Sequence, residues 1–252
     1  MAQLTKHLWQ CTLFAAMAAI LCIALRKNRS QVRFSLWFCV SCKFLLPFAL
    51  LTSLGSHLQW RPTTQNILTP AVSVTVAEIS GPLAVTARAR TPRAAVDWTL
   101  LAFGAVWASG LAAVALMRLR GWRQLRAAIR ASTPGPSPSR AIEVRFSTSL
   151  LEPGVVGVFR PILLLPHAIA ERLTPPQLTA VLAHEMCHIR RRDNLRAAIH
   201  MIVEAVFWFH PLVWWVGAKL VEERERACDE EVLRQGSEPR AYAEAILNVC
   251  KL

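Results

Sequence analysis

The chain has 252 residues, of which 54% are hydrophobic and 18% charged, a balance too apolar for an ordinary soluble domain. Its formal net charge is +13, which would suit a nucleic-acid binder, but the arginines gather beside apolar runs instead of forming one basic face. Seven cysteines do not form a disulfide framework, since Cys11, Cys22, Cys39 and Cys42 all lie in apolar stretches.

The first predicted element is an apolar run over residues 8–25, relieved only by Gln10 and Thr12. A second covers 34–54 and a third, uncharged, covers 98–117. Each has about the 20 residues needed to cross roughly 30 Å of hydrocarbon, so three spans are expected. The first is not read as a cleaved signal peptide. Lys6 and His7 are the only basic residues before it, no small-x-small cleavage site follows, and Arg26, Lys27, Arg29 and Arg33 supply a basic stop. That cluster, with Arg118, Arg120, Arg123, Arg126 and Arg130, implies cytoplasmic faces against anionic headgroups. The N-terminus is then outside, and a loop over 56–97 is external, although Arg61, Arg88, Arg90 and Arg93 run against that trend. The C-x-x-C pair Cys39 and Cys42 falls inside the second run, where two small packing residues are the simpler reading than a metal or redox pair.

Residues 132–140, STPGPSPSR, form a Pro/Ser/Gly linker expected to hold neither helix nor strand. Beyond it, IEVRF alternates as a half-buried strand does, and 154–166 adds one or two strands interrupted at Arg160 and Pro161. Thr174, Pro175 and Gln177 then make a helix start, with Thr174 as cap, Pro175 at the first helical position and Gln177 completing a capping box.

That helix runs into LAHEMCHIRRRDNL, residues 182–195. Residues four apart share a helix face, so His184 and His188 project together and can bind one Zn2+. Glu185 lies beside such an ion, where it can take a proton from a water that zinc acidifies to a pKa of about 7. The plainer alternative is an amphipathic helix whose polar face happens to read this way. A catalytic zinc needs a third protein ligand, and the carboxylate cluster EERERACDEEVL at 222–233 could supply it or could be a solvated acidic face.

The intervening stretch, 195–220, resembles a fourth span until it breaks at Phe209, His210 and Pro211. Proline opens a helix readily and is costly inside one. Glu204 and His210 would be expensive against lipid. Two arms of about 20 and 15 residues suit a re-entrant hairpin that returns the acidic helix to the histidines. Trp208, Trp214 and Trp215 would then anchor near the headgroups.

His-Glu-x-x-His followed by Arg-Arg-Asp, then FWFHPLVWW, then EREXACDE (223–230, with Arg226 at the open position) is similar to the BlaR/MecR-type membrane metallopeptidases. The upstream segment EPGVVGVFRPILLLP resembles that family too, so the likeness covers about 140–250 strongly and the preceding spans in layout. It implies zinc ligands His184, His188 and Glu225, with Glu185 as general base and Asp229 as a carboxylate orienting a ligating histidine. Glu222 and Glu223 remain alternatives for the third ligand, Asp193 matches the family's Arg-x-Asp with a structural hydrogen bond as its expected role and no derived chemistry, and His210 and Tyr242 are weak candidates for the oxyanion donor. An extended peptide could add to the sheet edge at 155–165, or those strands could simply support the catalytic helix. Sensor-type relatives carry a further span and an external penicillin-binding domain. The sequence stops at Leu252, as a truncated fragment or a stand-alone member would, so beta-lactam sensing does not follow from it.

The expected fold class is a mainly α membrane protein: three N-terminal transmembrane helices plus a small α+β zincin-like metallopeptidase domain with a re-entrant helical hairpin. Its parts are a transmembrane region over 1–120, a basic segment and linker over 121–140, the peptidase domain over 141–235, and a C-terminal helix over 236–252. The expected activity is that of a zinc metalloendopeptidase in the bacterial inner membrane, its site facing the cytoplasm, acting on a peptide or protein such as a repressor, with no direct nucleic-acid binding. Two other readings stay open: a non-catalytic signalling or scaffold protein with a structural or vacant zinc site, and a broad-specificity quality-control peptidase.

Overall fold

Two long helices pack through a narrow seam at the N-terminus. In the computed structural model, which describes residues 2–46, 98–135, 142–148, 152–167 and 169–249, these are α1 (Ala2–Ala24) and α2 (Ser30–Leu45). Cys11, Ala15, Ala18 and Cys22 recur at alternating steps of four and three, so α1 buries one stripe of small side chains. Phe34, Trp37, Val40 and Phe44 fill the facing side of α2. The rest of α1 points Trp9, Leu13, Met17, Ile20 and Ile23 outward. The second expected span lies in part beyond residue 46, and the expected external loop lies outside the described residues.

The third helix, α3 (Trp98–Ala131), runs for 34 residues, about 51 Å at 1.5 Å per residue. The apolar run and the arginine-rich tail are therefore one element, because Leu, Ala and Arg all favour helix and no proline interrupts them. None of its residues is buried. By length and composition, α3 and residues Leu4–Ala24 of α1 are the two described helices apolar enough to cross a membrane. α3 meets the rest of the molecule at Trp107, whose Nε1 donates to Val206 O at 2.9 Å, and at an Arg118–Glu204 ion pair. Gly110 permits this approach, since a Cβ there would fall 2.0 Å from the Trp208 ring.

A mixed four-stranded sheet follows, in the order β1–β2–β4–β3: β1 (Thr133–Pro134), β2 (Glu143–Ser147), β3 (Gly154–Val156) and β4 (Ile162–Pro166). β1 corrects the expected structureless linker. Thr133 and Pro134 pair antiparallel with Phe146 and Arg145, and an edge position accommodates a proline that has no amide to donate. β2 and β4 run parallel, with Val144 opposite Leu163, while β3 returns antiparallel on the other edge. After the short α4 (Ile169–Arg172), the capping box forms, Thr174 N donating to Gln177 Oε1 at 3.1 Å, and α5 (Pro175–Arg191) begins. Val181 and the neighbouring Leu178, Leu182, Met186 and Ile189 seat α5 on the sheet core of Ile142, Val144, Leu163 and Leu165.

Arg192, in the left-handed region at φ 54°, separates α5 from α6 (Asp193–Val206). The chain breaks again over Phe207 to His210, and Pro211 opens α7 (Pro211–Arg234) at its first turn. From Asp193 to Val206 is 14 residues and from Pro211 to Glu225 is 15, about 21 Å each way, so α7 returns Glu225 to the level of α6's start. Gly217 lets the two helices close, since a Cβ would lie 2.6 Å from His200 Nε2 and 2.9 Å from Glu204 Oε1. Val203, Phe207, Val213, Val216 and Leu220 join the α1–α2 core. The last element, α8 (Pro239–Val249), lays Ala245 on the sheet-side core and Tyr242 against Ala180 and Val232.

Candidate metal centre

His184 and His188 stand one turn apart on α5 with their Nε2 atoms 3.2 Å apart. Glu225, arriving on α7, places Oε2 3.4 Å from the first and 3.5 Å from the second. Ligand atoms about 2.0–2.1 Å from a tetrahedral ion stand about 3.3–3.4 Å from one another, so the three atoms have the spacing of one face of a zinc site. The donor set, two imidazoles and one carboxylate, is also the type that leaves a fourth position open. The histidine side chains are 16% and 13% exposed, whereas that of Glu225 is 42% exposed and opens into a cleft of about 610 Å3.

Each histidine is held at its other nitrogen. His188 Nδ1 lies 2.9 Å from Asp193 Oδ2, and His184 Nδ1 lies 2.8 Å from Tyr242 Oη and 3.2 Å from Asp229 Oδ1. Tyr242 donates to Asp229 Oδ1 at 2.6 Å. Such carboxylate contacts fix the ring and its tautomer and strengthen the imidazole as a donor. The remaining oxygen of Glu225, Oε1, accepts from Arg224 at 2.9 and 2.7 Å, which leaves Oε2 turned to the histidines. Glu185 is 7% exposed and lines the same cleft.

Burial favours neutral imidazoles, but Asp229 and Glu225 outweigh it at His184 and hold it up at about 10. Asp193 and Glu225 do the same for His188, to about 9. Burial pushes Glu225 up, yet His184, His188 and Arg224 more than offset that and keep its carboxyl well below the usual range. At Glu185 burial dominates and raises the carboxyl, opposed by His188 and His184.

His184, Glu185, His188, Glu225 and Asp229 thus converge on one cleft. Glu222 and Glu223, the other candidates for third ligand, do not. Glu222 pairs with Lys219 and Arg226 at 2.7 and 2.6 Å, and Glu223 faces Arg33 at 2.8 Å. His210 meets the Phe44 ring edge-on at the helix break, outside the cleft. Tyr242 is in the cleft, where its hydroxyl meets His184 Nδ1 and donates to Asp229. Asp193, for which the sequence offered no chemistry, has one here. Its signal is the left-handed Arg192, which no residue type announces. His188, Asp193 and Cys228 form a second cluster with metal-compatible atoms, but Arg191 and Arg196 lie 3.3 and 3.5 Å from Asp193 and oppose a further cation. β3 borders the cleft as an edge strand, and the carbonyls of its Val155 and of Gly157, just past its end, already accept from Asn194 Nδ2 at 3.0 and 2.9 Å.

A helix carrying His-Glu-x-x-His against a second carrying Glu-x-x-x-Asp is the arrangement of a metallopeptidase. The chain matches the BlaR1 peptidase M56 family over residues 6–251 and belongs to that family. It is 32% identical over 100 residues to regulatory protein BlaR1 of Bacillus licheniformis, a match covering 36% of this chain and 16% of that protein. It is 24% identical over 108 residues to the methicillin resistance mecR1 proteins of Staphylococcus aureus and Staphylococcus epidermidis, covering 42% of this chain and 18% of theirs. The matched stretches thus span less than a fifth of these relatives' length.

Proposed function

We propose that the chain is a membrane-embedded, zinc-dependent endopeptidase that cleaves a cytosolic protein, a transcriptional repressor, in signal transduction. The observation that carries this is the triangle of His184 Nε2, His188 Nε2 and Glu225 Oε2, with sides of 3.2, 3.4 and 3.5 Å beside a buried Glu185. His184, His188 and Glu225 would hold a zinc ion, which would supply Lewis acidity toward a peptide carbonyl and a lowered pKa for water.

The chain's own residues do the rest. Glu185 accepts a proton from the attacking water and passes it to the leaving amine. Asp193, Asp229 and Tyr242 keep the imidazoles turned toward the cleft, and Arg224 holds Glu225 by one oxygen. The cleft, bordered by the edge strand β3, accepts an extended peptide, although Asn194 already occupies part of that edge.

In this reading residues 1–120 carry three spans, 121–140 a basic linker, 141–235 a zincin-like domain entered by the re-entrant α6–α7 hairpin, and 236–252 the closing helix. The apolar faces of α1 and α3, exposed from Trp9 to Ile23 and from Trp98 to Met117, support burial in lipid. The arginines at 26–33 and beyond 118 support a bacterial inner-membrane protein whose site faces the cytoplasm. Kinship with a protein named as regulatory supports a signalling substrate.

Glu185→Gln tests the reading. The variant is expected to keep about one zinc per chain while cleaving a candidate repressor or generic peptide at least about 100-fold more slowly. Normal turnover by that variant would remove Glu185 from its role, and chelator-insensitive turnover would remove the metal. Cleavage of many unrelated misfolded proteins would favour the broad-specificity alternative.

A further inference from the structure

We propose that the turn joining α1 and α2 sets the separation of the two ligand-bearing helices, with Ser30, Arg33 and Phe34 as positioning residues. This rests on the metal-centre reading above.

α7 carries two pairs of carboxylates on opposite faces. Residues two apart on a helix are rotated by about 200°, whereas residues seven apart return nearly to one face. Glu225 and Asp229 therefore reach the histidines, and Glu223 and Glu230 reach α2. Glu223 accepts from Arg33 Nε at 2.8 Å, the two side chains being 6% and 9% exposed. Glu230 accepts from the Ser30 amide at 2.9 Å and from the Ser30 hydroxyl. The guanidinium of Arg33 also donates to the carbonyls of Arg26 and Asn28 at 3.2 and 2.6 Å and to Ser30 Oγ at 2.6 Å. The turn from α1 to α2 is thus built around the same cation that grips α7.

Phe34 reaches the end of the other ligand helix, α5, and the first turn of α6. The guanidinium carbons of Arg191 and Arg196 each lie 5.2 Å from its ring centroid. Both arginines pair with Asp193 Oδ1, while Asp193 Oδ2 holds His188. The start of α2 therefore touches the arginines that pair with Asp193, the support of His188, and grips the helix that carries Glu225. His184 and His188 ride on one helix and keep their spacing whatever this turn does. The 3.5 Å gap from His188 Nε2 to Glu225 Oε2 spans two helices, and a displacement of the turn is transmitted to it.

The test uses the full chain in detergent, with zinc affinity read by chelator competition and ligand geometry by the absorption spectrum of the cobalt-loaded protein. Arg33→Met combined with Glu223→Leu replaces the buried pair by apolar side chains, a change that buried ion pairs often tolerate without unfolding. The pair variant is expected to keep its helix content, bind zinc about 10- to 100-fold more weakly, and show an altered cobalt spectrum. A folded pair variant with wild-type affinity and spectrum overturns the proposal. If the pair variant does not fold, Ser30→Ala decides, because it removes one hydroxyl and keeps the buried Arg33–Glu223 pair. A few-fold loss of affinity supports the coupling and an unchanged affinity overturns it. A wild-type chain that takes up no metal overturns the metal-centre reading instead, so the two failures are distinct.

Discussion

Asp193 is 1% exposed, and a carboxylate survives such burial only when it is paired. Its pairing is threefold, to Arg191, Arg196 and His188, and this converts a structural ion cluster into a support for a candidate ligand. Asp193→Asn keeps the shape and removes the charge. Zinc affinity measured by chelator competition should fall about 10- to 100-fold, the usual cost of losing a histidine's outer partner. Tyr242→Phe should cost less, because Asp229 reaches His184 Nδ1 at 3.2 Å without the phenol. Equal losses in the two variants would contradict this ranking. Both residues were visible in the sequence, but their partners were not. Asp193 meets His188 only because Arg192 turns left-handed between them, and Tyr242 is 58 residues from His184.

Helix α7 owes its position to the glycine where it crosses α6. Gly217→Ala would put a methyl group 2.6 Å from His200 Nε2 and 2.9 Å from Glu204 Oε1. Overpacking of this kind costs about 1–3 kcal/mol, so the thermal midpoint should drop. Gly104→Ala on α3 is the contrast, since nothing lies within 4 Å of its Cβ position and the exchange should be neutral or slightly stabilising. A similar loss at both positions would mean that close packing is not what Gly217 serves. The break at Pro211 and the capping box before α5 were legible because each depends on residues within one helical turn. The strand at Thr133 and Pro134 was not, because a two-residue edge exists only through its partner Arg145–Phe146.

Two cores meet across the candidate centre. One joins α1, α2, α6 and α7, and the other joins the sheet to α5 and α8. His184 and His188 project from the sheet-side core and Glu225 from a helix of the first, so an ion bound by all three would tie the two together. Zinc at about 100 times its dissociation constant would then add about 2.7 kcal/mol to stability. For a chain of 252 residues this corresponds to a midpoint shift of about 5–10 °C. Chelation should remove that shift and added zinc restore it, as read by thermal unfolding in detergent. An unchanged midpoint would mean that the ion does not bridge the cores.

Short-range chemistry was readable in the linear chain: apolar runs long enough to span lipid, a His-Glu-x-x-His face at helical spacing, and a proline where a fourth span would otherwise run. These features rest on periodicity and on neighbours at most four residues away. Folding alone decided that Arg33 leaves the basic cluster at 26–33 to pair with Glu223, 190 residues on, and that Glu225 rather than Glu222 or Glu223 reaches the histidines. Adjacent positions on a helix point about 100° apart, so a run of carboxylates names no ligand until the packing of α7 on α2 and α5 selects which face turns inward.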